Sequence, residues 1–314
     1  MTLRRFLDDV DTPDRSLVVI NRQAPESVQR MLEKMFDGQP VSVEEVDIPT
    51  ESDDQVLVVE DETVIARSPL QEPQDAILTV NSDLFITGTR QLEDVELPDA
   101  LQELDELPFF LRGYPEAHSE KLLLILVSRY IERVAWDHQS GTLRTSFQSL
   151  DRIEDELGTN QVYRRLDDSP VDVHVYGTPG WVPPPESTIT IHAGYEPDFV
   201  ESWFVVYSPP EGGDGHVALL ALEDGPNEWS GFWTYRPERV EAREEYITQR
   251  LCSPRRGARR SRVGRRRLVP VRARRGAAVR AAARRRAAAR VPVRATCHPA
   301  SPGSRDVGSG LCRR

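Results

Sequence analysis

Among the first 250 residues, the side chains that titrate near neutral pH are His118, His138, His174, His192 and His216. No two of them stand at metal-ligand spacing, and no HExxH helix occurs, so no metal site is expected. Neither GxxxxGK(S/T), GxGxxG nor GxSxG is present. Gly212, Gly213 and Gly215 form a dense glycine cluster, but no helix follows to cradle a phosphate, and a hairpin turn is the expected use. His174 alternates with Asp172 and Tyr176 on one polar face of a strand, either lining a pocket or facing solvent. Acidic clusters such as Glu154-Asp155-Glu156 say little in so acidic a chain. Trp203, Tyr207, Trp229, Phe232, Trp233 and Tyr235 lie close together; such rings line planar-ligand pockets, and more often simply fill a core. No catalytic residue is assigned, and no cofactor can be named.

The elements that must position these side chains are legible from hydrophobic periodicity. Val28, Met31, Leu32, Met35 and Phe36 recur at helical spacing, with Pro25 before them and Gly38 after. A longer helix is expected from Glu116 to Asp137. Leu123, Val127, Tyr130 and Val134 make one stripe there, widened by Leu124, Ile131 and Ala135, with Arg129, Glu132 and Arg133 pointing the other way, as for a helix lying on a sheet. Shorter helices are expected at Leu3–Val10, Pro98–Leu104, Gln161–Leu166 and Pro237–Leu251. Strands are expected at Leu17–Ile20, Val41–Val46, Gln55–Val59, Thr63–Ala66, Ile77–Val80, Leu84–Thr87 and Thr142–Phe147. Further along they are expected at Val171–Val175, Thr188–Ile191, Trp203–Tyr207, Val217–Leu222 and Trp229–Tyr235. Interleaved strands and helices with at least one hairpin give an α+β fold, a mixed β-sheet flanked by helices. An internal boundary is expected near Gly113-Tyr114-Pro115, dividing an N-terminal α/β extension (1–114) from a second domain (115–250).

Charge divides the chain again. Residues 251–314 hold 20 of the 40 basic residues and one of the 51 acidic ones, a net of +19, which leaves −30 for the first 250. Lys34 and Lys121 are the only lysines. Such a charge strains a compact chain in dilute buffer and is screened at molar salt, where the Debye length is about 3 Å. A salt-adapted cytoplasmic protein is expected. The N-terminus lacks a signal-peptide core, and no apolar run is longer than Leu122 to Val127, too short for a membrane span. Cys252, Cys297 and Cys312 all lie in the basic segment, so disulfide and thiolate chemistry are not expected of the module. Three readings of that tail, expected to be disordered, are open. It is an arm for nucleic acid, a segment folding back on the acidic module, or a GC-rich gene read in the wrong frame. Counterion release gives little at molar salt, which counts against nucleic acid, and the absence of Glu and Lys favours the frameshift.

Three stretches together carry a family resemblance. They are Leu122 to Glu132 on the long helix, Gly141 to Gln148, and the pair Val171–Gly177 and Gly231–Tyr235. Their order and spacing resemble the DICT sensory domain of diguanylate cyclases and two-component proteins, in its free-standing haloarchaeal form, over about 115–247. The resemblance implies an α+β fold and a sensory role, with a light or redox response suggested for the family and no settled ligand. It implies candidate ligand-binding residues Ser128, Arg129, Glu132, Phe147, Gln148, Gly231 and Phe232, to which the strand reading adds His174. It also implies an end soon after Ile247, to which the arginine tail is alien. The expected function is a stand-alone intracellular signal-sensing module, without catalysis, that binds a small ligand or signalling partner. Two rivals are an enzyme, which requires Arg129, Glu132, Gln148 and His174 to converge in one pocket, and a regulatory adaptor with an exposed apolar patch and no pocket.

Overall fold

The computed structural model describes residues 2–10, 13–85, 92–112, 118–226 and 228–252. The basic tail from 253, the boundary residues 113–115 and residues 86–87 of an expected strand lie outside the described residues. The chain opens with a one-turn helix, α1 (Arg5–Asp8), and a strand, β1 (Arg15–Ile20). Helix α2 (Glu26–Phe36) then carries it to β2 (Val41–Val46), parallel to β1. Strands β3 (Gln55–Glu60) and β4 (Thr63–Pro69) form a hairpin beside β1, completing a sheet of order β2-β1-β3-β4.

Helices α3 (Gln71–Phe85) and α4 (Asp99–Gln102) and strand β5 (Phe109–Arg112) lead to the long helix α5 (His118–His138). Next come β6 (Thr142–Ser149), α6 (Arg152–Asp155), α7 (Leu157–Asp167), β7 (Asp172–Thr178), β8 (Thr190–Ala193) and α8 (Pro197–Val200). The last elements are β9 (Ser202–Ser208), β10 (Val217–Gly225), β11 (Glu228–Thr234) and α9 (Pro237–Arg250). The second sheet has the order β5-β11-β10-β9-β6-β7-β8. Its β6–β7 and β7–β8 pairs are parallel and the remainder antiparallel. Gly141, at φ +83°, makes the turn from α5 into β6; a Cβ there would lie 2.5 Å from the carbonyl oxygen of Ser208.

The fold is therefore α+β, with mixed sheet flanked by helices, and its strands divide between two sheets. Strand alternation sorts the second sheet's side chains onto two faces. Leu143, Val173, Val175, Val205 and Tyr207 join the core that includes α5, and that core is continuous with the one around Leu17, Val58 and α2. Tyr176, Phe204, Val206 and Phe232 face the other way, into a smaller core with Phe6 of α1 and Val240 and Ile247 of α9. Leu124, Val127, Ile131 and Ala135 are fully buried, so the wide α5 stripe read from the sequence is the stripe that packs. Burying each of its larger members contributes about 1.5–3 kcal/mol.

One expectation is corrected. Ile77–Val80 and Leu84–Phe85 are not strands but part of α3, which packs against α5. Ala76, Ile77 and Val80 are buried at helical spacing, and that contact outweighs the strand preference of the Ile-Leu-Thr-Val run. Strand β5 and helices α6 and α8 are each only four residues long and have no periodicity to announce them.

Candidate ligand-binding site

Helix α5 crosses the second sheet above β6 and β9, and the short helices between β6 and β7 close one side. Between them lies a cavity of about 490 Å³. Ile125, Ser128, Arg129 and Glu132 line it from α5, Thr145 to Gln148 from β6, Gly158 and Thr159 from α7, and Trp203 and Val205 from β9. Ser128, Arg129 and Glu132 fall at i, i+1 and i+4, one helical face, directed at the sheet; Arg129 and Glu132 do not point away from it as their charge and spacing suggest, since the two side chains are only 12% and 2% exposed and line the cavity.

Strand β6 changes character where it meets the cavity. Its pairing with β7 slips between Ser146 and Ser149, and Gln148 sits at φ +58° within this irregularity. A non-glycine residue in that region costs of order 1–3 kcal/mol, so the surrounding packing must hold it there. The bulge brings both Phe147 and Gln148 to the cavity, where a regular strand would send one of them to the opposite face. Phe147 is fixed edge-on against Tyr163, with ring centroids 5.0 Å apart.

The polar floor is already organised. Arg129 Nη1 donates to Glu132 Oε2 at 2.7 Å, and Nη2 to Thr159 Oγ1 at 2.8 Å. Tyr163 donates its hydroxyl to Glu132 Oε1 at 3.0 Å. Burial, reinforced by the Glu132 carboxylate, pushes the Tyr163 phenol well above its ordinary range, so it remains a donor. Thr159 in turn donates to Glu156 Oε2 at 3.0 Å. Helix α5 is thereby tied to α7 through charge-assisted bonds. The Ser128 hydroxyl, by contrast, is buried at 6% exposure and has no hydrogen-bond partner among the described residues. A buried hydroxyl without a partner carries a desolvation penalty of about 1–3 kcal/mol.

Five of the eight residues expected at the site (Ser128, Arg129, Glu132, Phe147 and Gln148) thus line one cavity. The other three are elsewhere. His174 points to the opposite sheet face, where its Nε2 meets Asp172 Oδ2 at 3.0 Å and its Nδ1 meets His192 Nε2 at 2.9 Å. The His192 ring stacks on Tyr176, whose hydroxyl accepts from Arg144 and lies 3.4 Å from Cys252 Sγ. Burial lowers the His174 pKa and, with the His174 and Arg144 charges, pushes His192 down to about 4. Neither of the expected settings for His174, pocket or solvated face, is its actual one: it belongs to a packed polar cluster. The four-residue convergence that an enzyme reading required does not occur. Phe232 is fully buried in the α9-side core, 4.6 Å below the Arg243 guanidinium. Gly231 serves strand packing, since a Cβ there would come within 2.6 Å of the Leu220 carbonyl oxygen.

Sequence reasoning named Trp203 only within a cluster of rings that more often fills a core, and missed Thr145 and Thr159. The first two were accessible, because they alternate with Phe204 and Arg144 and so share a face with Val205 and Leu143. Nothing local marks Thr159, which reaches the cavity only because α7 docks against α5. Among the described residues no group of three or more His, Cys, Asp or Glu is arranged to hold a metal ion, and no helix is long and apolar enough to cross a membrane.

Residues 99–223 match the model of the DICT family, described as a sensory domain in diguanylate cyclases and two-component systems. The match begins at α4 and ends within β10, so it contains the whole cavity and excludes Gly231 and Phe232. No curated protein matches the chain. A crystal structure of polyphosphate kinase from Porphyromonas gingivalis aligns with 78% of this chain, at 12% identity and a TM-score of 0.28. The chain spans 46% of that structure's length, and the likeness is too slight to bear on fold or function.

Proposed function

We propose that this chain is an intracellular signal-sensing module that binds a small ligand in the cavity beneath α5, performs no chemistry on it, and passes the signal to a separate signalling partner. The observation that carries this reading is the Ser128 hydroxyl, buried and unpartnered at the wall of a cavity large enough for a small molecule. The rigid Arg129–Glu132–Thr159 floor supports it, because a preorganised site loses little on binding. Ser128, Arg129, Glu132, Phe147 and Gln148 are the ligand-contacting residues in this reading. His174, Gly231 and Phe232 act only through packing. The domain division at 114/115 and the salt-adapted cytoplasmic setting belong to the same proposal, the latter resting on the net of −30 over the first 250 residues.

The test is native mass spectrometry of the full chain, purified from a high-salt host and exchanged rapidly into volatile salt. A stoichiometric small-molecule adduct is expected. A bare mass from protein that retains its circular dichroism would overturn the reading and favour an adaptor.

A further inference from the structure

Resting on the sensing reading above, we infer that the cavity takes an uncharged, flat heterocycle of about two fused rings that presents an amide or amidine edge. Three features of the cavity specify this class.

The first is its charge. Among the described residues, Lys121, Arg129 and Arg152 are the cations at the cavity, and Glu132, Asp155 and Glu156 match them in number. The one deep guanidinium, Arg129, is committed to Glu132 and Thr159. A phosphate or carboxylate entering here would meet as much negative charge as positive, and would have to displace an internal carboxylate to gain the bidentate contact that makes arginine an anion receptor.

The second is its shape and walls. Phe147 and Trp203 offer aromatic rings, Ile125 and Val205 aliphatic surface, and the Phe147 ring is held in place by Tyr163. Aromatic rings favour offset-stacked or edge-on partners, which selects flat ligands over branched ones. The volume of about 490 Å³ exceeds what a single small ring would fill.

The third is its polar edge. The bulge in β6 holds Gln148 in a strained backbone conformation with its side chain at the cavity. A carboxamide carries a donor and an acceptor side by side, the complement of a cyclic amide or amidine edge, and forms two parallel hydrogen bonds with it. The unpartnered Ser128 hydroxyl adds one more donor or acceptor from the opposite wall. The backbone strain at Gln148 and the unpaired hydroxyl at Ser128 thereby acquire one explanation.

Isothermal titration of the full chain in molar KCl tests this with hypoxanthine, N1-methylhypoxanthine, inosine monophosphate and inorganic phosphate. Hypoxanthine should bind. N1-methylation, which blocks the amide edge, should weaken it about tenfold, as should Gln148→Leu, the loss expected for two net hydrogen bonds. Ser128→Ala should weaken it a few-fold without lowering the unfolding temperature. Phosphate competing with hypoxanthine, or inosine monophosphate binding at least tenfold more tightly than the base, would overturn the assignment in favour of an anion site. Absence of heat from hypoxanthine would overturn it too. The sensing reading would survive that result if the wild-type chain still carried a small molecule of other chemistry, and would fall with it if the chain were bare.

Discussion

Replacing Arg129 by methionine removes the guanidinium that ties α5 to α7 while keeping most of the side-chain volume. The partner it deserts, Glu132, has 2% of its side-chain surface exposed, against 12% for Arg129. This is a buried pair rather than a surface one, and breaking it from one side leaves a buried carboxylate without the Arg129 charge, though Tyr163 still donates to it. Surface pairs contribute about 0–1 kcal/mol, whereas stripping one member from a buried pair costs about 3–5 kcal/mol. For a module of this size each kcal/mol shifts the midpoint by about 2–4 °C, so the unfolding temperature should fall by about 6–20 °C. Urea denaturation in molar KCl, with circular dichroism, gives the free energy directly. Adding Glu132→Gln to the methionine variant should restore most of the loss, because the stranded charge is then gone and an acceptor for Tyr163 remains. A loss below about 1 kcal/mol in the single variant would refute the reasoning, as it would show the pair to be solvated. Failure of the second substitution to restore stability would refute it equally, placing the cost in the bond to Thr159 instead.

Other outcomes follow from the same structure. His192 is held neutral, with its pKa at about 4 against an ordinary 6.5, so the unfolded chain takes up a proton first as the pH falls below 6.5. Its contribution to stability is present above that pH and lost on the way down to 4. Allowing for solvent screening, about 1–2 kcal/mol should disappear between pH 7 and pH 5, and His192→Gln should flatten that limb of a urea-midpoint profile. Gly231→Ala should cost about 1–3 kcal/mol by pressing its methyl into the Leu220 carbonyl and Ala221, read as a lower midpoint with unchanged slope. Ile131→Ala, at a fully buried point of the α5 stripe, should cost about 2–5 kcal/mol. Cost near zero at either position would contradict the packing described.

Where a single element meets the core with a repeating face, the sequence already discloses it. The stripe on α5, the near-continuous apolar runs of β9 and β10, and the alternating Val173 and Val175 of β7 all adopt the structure their spacing implies. Helix α3 misled because its Ile-Leu-Thr-Val run satisfies strand and helix patterns alike, and only the neighbouring α5 decides between them. The cavity was half legible for a related reason. Ser128, Arg129 and Glu132 on α5 were reached through family likeness, against a helical count that turns Arg129 and Glu132 away from the sheet, and so were Phe147 and Gln148 on β6. The bulge that brings both of the latter to the cavity leaves no trace in residue order. His174 lies away from the cavity; period-two alternation says which residues share a face but not which face of the sheet they share. That choice was made by His192 and Tyr176, packed beside it beneath α9.

The central claim is that the cavity beneath α5 holds a small ligand, and the direct test is the bound mass carried by wild-type and Ser128→Leu chains prepared side by side. Leucine at this position projects added bulk into the cavity from a helix that need not move. The account predicts one small molecule per wild-type chain and none on the variant, with closely matched unfolding temperatures once the ligand is stripped from the wild-type chain. An identical adduct on both chains would place the ligand elsewhere and contradict the account.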